Sequence, residues 1–449
     1  MKKLSSFLII GILFILLTIS ALIGFLAFKN YKPSVAFYNI DSSTQQIILS
    51  MLDDDYKTVV LNSDIPLSAQ KSEFKNCSLI FTQADYDVID FCNSSKKVNT
   101  VPADFLGGMP STVVDFTNLI NENETSGKSI SGKPASGAGA NSSQPQIKLV
   151  PLLFDFYQID IDFAAYKDFS SKNSNRPLNY WDDFAEFLEF YAKTQKNPLA
   201  FYGKDEKNLL AITGMIAEAL TADENAPTLY ENFCSALYQA YKTDIANENY
   251  QNTNKNKNPT AQENANFQNV RQIIEEACSP NGFLYPAITE LSKMVKNQNL
   301  EKNTFQLDQN EMYFYLENGL SVSAFLKLSE HRKIDHKIIN KFSSIYFPSK
   351  TDRVSRKFAA PCICVIPLKN KAKITNQIEQ LCNNRQTELS TRTGLSPVQK
   401  NCSVADHQAD DVRYWIAASD GPVLPVYAAI PSKQAQAFCA NLILEYILQ

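Results

Sequence analysis

The sequence predicts an α/β protein with two domains behind one N-terminal transmembrane helix. Three observations lead to this fold class: an uncharged apolar run near the start, alternating strand and helix patterns after it, and a length of 449 residues, which leaves room for two domains of ordinary size. The expected units are an anchor at 1–32, an N-terminal lobe at 33–150, a mainly helical second lobe at 151–345, and a C-terminal segment at 346–449 that completes the lobes.

The first element is the apolar run Phe7–Phe28, which follows Lys2 and Lys3. A helix of about 20 residues spans a bilayer. The run is longer than a signal-peptide core of roughly 7–15 residues, and neither a small-residue cleavage site nor a cysteine follows it. We therefore expect an uncleaved anchor. The positive-inside rule puts Lys2 and Lys3 in the cytoplasm, but the bias is small because Lys29 and Lys32 lie on the other flank. A long, cleaved signal peptide is the alternative.

The N-terminal lobe begins with short apolar runs separated by a helical pattern. Strands are predicted at 34–38, 58–61 and 78–82, with a helix at 44–52. Strands that alternate with helices predict a parallel sheet whose carboxyl-end loops line a crevice. Gln83 follows the third strand and would lie at such an end.

Two polar stretches interrupt the pattern. Residues 121–146 are rich in Ser, Gly, Asn and Lys, and residues 247–266 are rich in Asn and Lys. Neither can bury enough apolar surface to offset the entropy of ordering it. We expect a disordered loop at 121–146 and a second loop at 247–266.

The second lobe begins with a buried strand at 150–157 and a short aromatic helix at 163–169. Asn179 is an N-cap candidate for the next helix. The apolar residues of that helix follow the i, i+3, i+4, i+7 spacing of one helical face. They are Phe184, Phe187, Leu188 and Tyr191. A further strand is predicted at 198–203.

Residues 205–345 carry mostly helical periodicity. By residue type alone Gly319 would be a helix C-cap, for which glycine is the usual choice. The C-terminal segment contains a strand at 360–366 and a helix at 374–389.

Several of these segments resemble bacterial extracellular solute-binding proteins of ABC importers, the family that includes sugar-binding proteins. The resemblance rests on motifs that occur in the order of that family and cover about a third of the chain. They are Tyr166-Lys167-Asp168-Phe169, Trp181-Asp182-Asp183-Phe184, Gly319 before a short strand, and Thr393-Gly394-Leu395-Ser396-Pro397. Tyr166 departs from the family, which has asparagine there.

The resemblance implies a two-lobed, periplasmic-binding-protein-like fold with an inter-lobe cleft. It implies capture of a small solute, with carbohydrates as one class, for an ABC permease in the membrane. It also requires the body of the protein to lie outside the cytoplasm, behind the N-terminal anchor. The candidate ligand-binding residues are Asp155, Tyr157, Tyr202 and Asp205, which follow predicted strands, together with Gln83 and Gly319. Core packing or surface exposure is the alternative for each. A non-transport envelope sensor or interaction protein of the same fold is the alternative function.

Composition argues against other classes of function. The net charge is −4 and no basic cluster is present, so nucleic acid is not an expected partner. The histidines His331 and His336 lack the i, i+4 spacing of a helical zinc pair, and no glycine-flanked nucleophilic serine occurs. We expect a monomeric binding protein that is not an enzyme and holds no metal or cofactor.

The chain has nine cysteines, so not all of them can pair within one chain. Bridges of Cys234 with Cys278, or of Cys382 with Cys402, are conceivable outside the cytoplasm. Buried reduced thiols are the alternative. The segment Cys362-Ile363-Cys364 is predicted to be a core strand.

Overall fold

The computed structural model describes residues 33–53, 56–102, 146–173, 177–178, 180–194, 197–221, 229–254, 267–300, 302–350, 357–397, 423–425 and 429–449. The predicted anchor Phe7–Phe28, nearly all of the 121–146 loop, Asn179 and Cys402 lie outside these residues. Within the described residues, no helix combines the length and apolar character needed to cross a membrane.

The strands and helices follow one another in a mixed α/β order. The strands are β1 Ser34–Tyr38, β2 Lys57–Val60, β3 Cys77–Thr82, β4 Val101–Pro102, β5 Gln146–Ile147, β6 Val150–Asp162, β7 Ser323–Lys327, β8 Phe342–Ile345, β9 Lys357–Pro367, β10 Ser396–Pro397 and β11 Val423–Pro425. The helices are α1 Ser42–Ser50, α2 Tyr86–Ser94, α3 Phe163–Lys172, α4 Trp181–Ala192, α5 Glu206–Thr221, α6 Leu229–Asn254, α7 Gln268–Cys278, α8 Tyr285–Lys296, α9 Gln309–Glu317, α10 Leu328–His331, α11 His336–Ile339, α12 Ala372–Cys382, α13 Gln386–Thr393 and α14 Lys433–Leu448.

The main sheet has the order β10-β6-β9-β3-β1-β2, with β11 beside β9 and with β7 and β8 beside β6. β1 is parallel to β2 and β3, whereas β9 is antiparallel to both β3 and β6. The parallel sheet predicted for the first three strands is confirmed. The strand β9 adds to it in antiparallel orientation because it enters from distant sequence and not through a local strand–helix–strand crossover.

β6 is longer than predicted and connects two hydrophobic cores. Its residues 150–154 pack in the core that surrounds β1 and β3, whereas Tyr157, Ile159 and Ile161 pack in a second, larger core. β9 divides in the same way, with Val365 in the first core and Phe358 in the second. These two antiparallel strands thus run from one lobe into the other.

Each lobe has its own helices. In the first lobe, α1, α12 and α13 contribute to the core on one face of the sheet, and α2 to the core on the other. In the second lobe, helices α3 to α8 and the C-terminal α14 enclose an aromatic core. The predicted α4 stripe is confirmed: Phe184, Phe187 and Leu188 are fully buried. Burial of each such side chain contributes about 1.5–3 kcal/mol.

Several element boundaries differ from the prediction. The residue at the N-cap of α4 is Tyr180, whose side chain makes no capping bond. Residues 198–203 form no regular strand, and only single bridges join Asn197 to Ser321 and Ala200 to Ala324. The helix α6 extends to Asn254, into the predicted loop at 247–266. The sequence did not predict this extension because an amphipathic pattern does not mark where a helix ends. The predicted 374–389 helix is broken after α12 and resumes as α13.

Candidate functional site

A cleft of about 610 Å³ opens between the two lobes. Its floor is formed where β6 and β9 cross from one core to the other, at Asp155, Tyr157, Ala360 and Cys362. The first lobe contributes the N-terminal turn of α1 and the loop after β3. The second lobe contributes the start of α5, one face of α6 and the α10 region. The two crossing strands therefore place the cleft at the boundary of the lobes.

Four of the six predicted binding residues line this cleft. They are Gln83, Asp155, Tyr157 and Asp205. Tyr202 lies behind the lining, where its hydroxyl donates a hydrogen bond to the carboxylate of Glu330, a lining residue. The structure therefore brings five of the six predicted side chains into one region.

Gly319 is not among the lining residues. It has φ of 65° and directly follows the C-cap of α9. The N–H of Leu320 donates to the carbonyl of Tyr315 at 2.8 Å, and the N–H of Gly319 donates to that of Leu316 at 3.1 Å. This pair of bonds is the Schellman arrangement. Gly319 thus terminates a helix, as its alternative interpretation predicts.

Lys327, at the end of β7, was not predicted from the sequence. Its Nζ lies 3.2 Å from the Tyr202 hydroxyl and 3.6 Å from Glu330 Oε1. The same nitrogen lies 5.5 Å from the Tyr157 ring centroid and 5.9 Å from that of Tyr202. Burial by itself would lower the pKa of Lys327, but the facing Tyr157, Glu330, Tyr202 and Asp155 raise it well above its ordinary value. Lys327 therefore stays a cation at the cleft floor.

Asp155 faces the start of α10. Its carboxylate accepts hydrogen bonds from the Ser329 backbone N–H at 3.0 Å and from the Ser329 hydroxyl at 2.6 Å. Burial raises the pKa of Asp155, and the Lys327 charge opposes this rise. The Asp155 oxygens are thus already used to fix α10 against β6.

Lys207 stands on the first turn of α5 and reaches across the cleft. Its Nζ donates a 2.9 Å hydrogen bond to Gln83 Oε1 in the first lobe. The side chain remains open to water within the cleft, yet the enclosing walls, and then the charge of Lys327, lower the pKa of Lys207. This contact joins the lobes and places a second cation beside the cleft floor.

Three solved structures show what this architecture resembles. A probable secreted solute-binding lipoprotein from Streptomyces coelicolor has a TM-score of 0.55 at 11% identity, with 92% of this chain and 94% of that chain covered. A maltose-bound T. maritima protein has a TM-score of 0.54 at 11% identity, with 93% and 95% covered. The binding protein MsmE of Bacillus subtilis, in an open conformation, has a TM-score of 0.58 at 10% identity, with 92% and 93% covered.

The chain has the solute-binding protein fold. The two-lobed architecture implied by the sequence motifs is confirmed over nearly the whole length of these structures. Neither a family model nor a curated protein matches the chain by sequence. The likeness is therefore one of fold.

In this solute-binding fold, α2 of the first lobe also touches α6 of the second. The Tyr86 hydroxyl donates to the Glu231 carbonyl at 2.8 Å, and Lys242 pairs with Asp90 at 2.9 Å. The rings of Tyr86 and Tyr238 lie 6.2 Å apart. Together with Lys207 and Gln83, these contacts bring the lobes together beside the cleft.

One of the two conceivable bridges does not form, because Cys234 and Cys278 are both free thiols. The other, between Cys382 and Cys402, stays a prediction because Cys402 lies outside the described residues.

The prediction of a core strand at 362–364 is confirmed for Ile363 and Cys364, which are buried, whereas Cys362 is half-buried and lines the cleft. The register of the β6–β9 pair shifts beside Cys362, between Leu153 and Phe154 of β6. Regular alternation would place residues two apart on the same face, so this irregularity accounts for the different environments of Cys362 and Cys364.

Proposed function

We propose that this protein is an extracytoplasmic solute-binding protein that captures a small solute, of the carbohydrate class, for an ABC permease. The cleft between the lobes carries this proposal. Its volume of about 610 Å³ is in the range of small-molecule sites, and each lobe supplies one wall. The solved structures of this fold are described as binding proteins, with maltose, chitin oligosaccharide or raffinose as the named solute.

The proposed mechanism is capture by lobe closure. Because β6 and β9 cross between two separately packed cores, small backbone changes in these strands would let the lobes rotate without disturbing either core. A solute that contacts both walls binds the closed form better and shifts the population toward it. The lobe division at 33–150 and 151–345, completed by 346–449, belongs to this proposal.

The membrane arrangement is also a proposal. The apolar segment Phe7–Phe28 would hold a monomeric receptor at the outer face of the cytoplasmic membrane, near its permease. Intact-mass measurement on protein extracted from membranes tests it. A mature N-terminus beyond residue 28 would establish a cleaved signal peptide instead.

A binding screen tests the capture function. Mono- and oligosaccharides are added to the purified receptor, and melting temperature and radius of gyration are measured. A ligand at 100 times its Kd should stabilise the protein by about 2.7 kcal/mol and make it more compact. The cleft-filling variant Thr44→Trp should abolish both effects, whereas Thr391→Trp, exposed and outside the cleft lining, should not. A broad panel that gives neither effect contradicts solute capture and favours the envelope-interaction alternative.

A further inference from the structure

Among the described residues, the cleft is lined by equal numbers of acidic and basic side chains, but these differ in how many partners they have within the protein. Four acidic and four basic side chains line it. They are Asp41, Asp155, Asp205, Glu330, Lys207, Lys327, Lys333 and Arg392. A charge that already has partners inside the protein contributes less to recognition than one that faces the cleft without a counter-charge. The hydrogen bonds of each group therefore indicate which sign of charge the cleft offers to a solute.

Three of the acidic side chains accept hydrogen bonds from backbone N–H groups at the starts of helices. Asp41 accepts from the backbone N–H groups of Ser43 and Thr44, both at 3.0 Å. Asp205 accepts from the Asn208 N–H at 2.8 Å. Asp155 is bound by Ser329, as described above.

Glu330 has the largest number of partners among the four acids. It accepts from the backbone N–H of Lys327 at 2.8 Å, from Gln309 Nε2 at 3.0 Å and from the Tyr202 hydroxyl. Each cleft carboxylate therefore has donors within the protein. A neutral sugar would have to compete with them for these oxygens.

Lys327 already pairs with Glu330 at 3.6 Å, but the other basic side chains have fewer partners within the protein. The one acceptor of Lys207 is the neutral amide oxygen of Gln83, and its ammonium forms no ion pair with a described residue. An ammonium has three donors. Lys333 likewise forms no ion pair with a described residue, whereas Arg392 lies 3.5 Å from Glu388. The nearby positive charge of Lys327 repels the Lys207 ammonium and lowers the pKa of Lys207.

The aromatic rings fit the same interpretation. Tyr157 and Tyr202 are the aromatic residues among the predicted ligand-binding residues, but Lys327 Nζ lies over both rings. Both side chains are also almost fully buried. They are therefore poorly placed to stack on a solute, and they hold Lys327 toward the cleft instead.

We propose that the solute carries an anionic group that binds between Lys207 and Lys327, as in an acidic sugar. This inference rests on the proposed function and specifies its substrate class. A carboxylate or phosphate would accept the unused donors of Lys207 in charge-assisted hydrogen bonds. It would also relieve the repulsion between the two ammonium groups. The rest of the solute would occupy the cleft beside α6.

Calorimetry with three kinds of probe tests this proposal. The probes are glucuronate and galacturonate with their short oligomers, glucose 6-phosphate, and the neutral glucose and maltose. We expect at least one anionic probe to bind about tenfold or more tightly than its neutral counterpart, because one charge-assisted hydrogen bond is of that size. A preference for the uronates identifies the anion as a carboxylate, and one for the phosphate ester identifies it as a phosphate. Either result supports the proposal.

Variants separate the contribution of Lys207 from general charge effects. Lys207→Met should weaken the anionic probe about tenfold and reduce the salt dependence of its affinity, whereas Lys207→Arg should retain most of it. Lys204→Met is the matched control, because Lys204 is exposed, lies outside the cleft lining and pairs weakly with Asp308 at 3.9 Å. It should leave the affinity unchanged.

One result would contradict the anionic inference alone, and another would contradict the capture function. Neutral sugars that bind as tightly as the anionic ones, with an affinity insensitive to Lys207→Met, overturn the anionic inference and leave the capture function standing. No binding and no compaction with any saccharide, anionic or neutral, contradicts the capture function itself.

Discussion

The carboxylate of Asp87 on α2 accepts a 3.1 Å hydrogen bond from the hydroxyl of Tyr238 on α6, across the boundary between the lobes. Its other oxygen accepts from the Leu67 N–H at 2.7 Å and from the Tyr38 hydroxyl at 3.1 Å. Asp87 and Tyr238 are both buried. The Asp87 side chain thus connects β1 of the first lobe, through Tyr38, to α6 of the second lobe, through Tyr238.

This relationship predicts that Tyr238→Phe favours lobe opening. The change removes one hydroxyl at nearly constant volume. The lost hydrogen bond contributes about 1 kcal/mol to the arrangement in which α2 and α6 are in contact. Small-angle scattering of the ligand-free variant should show a larger radius of gyration. Tyr285→Phe, on the more exposed Tyr285, is the control and should leave the scattering unchanged. If both variants scatter like the original protein, the α2–α6 contact does not hold the lobes together.

A second prediction concerns Asp85, whose carboxylate caps α2 through the Val88 N–H at 2.8 Å and accepts from Asn39 at 3.1 Å. Burial, and then the neighbouring Asp87 charge, raise the pKa of Asp85 from 3.8 to about 7. The folded state therefore holds this proton more tightly than the unfolded state. The resulting stability is fully present below pH 3.8 and is lost as the pH rises through about 7.

Urea unfolding between pH 5 and 8 measures this effect. Asp85→Asn keeps the helix cap but cannot ionise, so the fall in unfolding free energy with pH should become shallower. Asp64→Asn, in the exposed turn after β2, is the control and should preserve the slope. An unchanged slope in Asp85→Asn would place the titrating group elsewhere.

The third prediction separates the two interpretations of Gly319. A Cβ at this position would meet no atom within 4 Å, so Gly319→Ala suffers only the backbone strain of φ 65°. We expect a loss of about 1 kcal/mol in unfolding free energy, with Gly319→Asn recovering part of it. Solute affinity should stay constant because the residue only ends a helix. Weaker binding in Gly319→Ala, at unchanged secondary structure, would instead support its predicted role at the ligand.

The fourth prediction concerns Gly214, in the middle of α5. A Cβ there would overlap the ring of Tyr230, a cleft-lining residue on α6. Gly214→Ala should displace this ring and cost about 1–3 kcal/mol, despite the higher helix propensity of alanine. Affinity for any solute should change as well. Ala217→Gly, three residues later on the same helix, is buried in the core but lies outside the cleft lining. It loses helix propensity and a packed methyl group, so it should lower stability without changing affinity.

The sequence by itself determined the elements whose signals are local. The i, i+3, i+4, i+7 spacing identified the buried face of α4, and short apolar runs identified β1, β3 and the core of β9. It also placed Gln83, Asp155 and Tyr157 after or within strands, and all three line the cleft. Asp205 lines it too, although the strand predicted before it does not form. These assignments succeed because period and turn chemistry depend on neighbours within a few residues.

The tertiary structure alone decided how the cleft is charged. Lys327 stands opposite Tyr157 because β7 pairs with β6 in antiparallel register, across 170 positions of sequence (327 minus 157). Lys207 meets Gln83 only because β6 and β9 bring the two lobes together. Periodicity within one segment carries no information about such pairings, since they are set by which strands join and in which register. The sequence could therefore name the strands that form the cleft, but only the assembled sheet shows which cations face it.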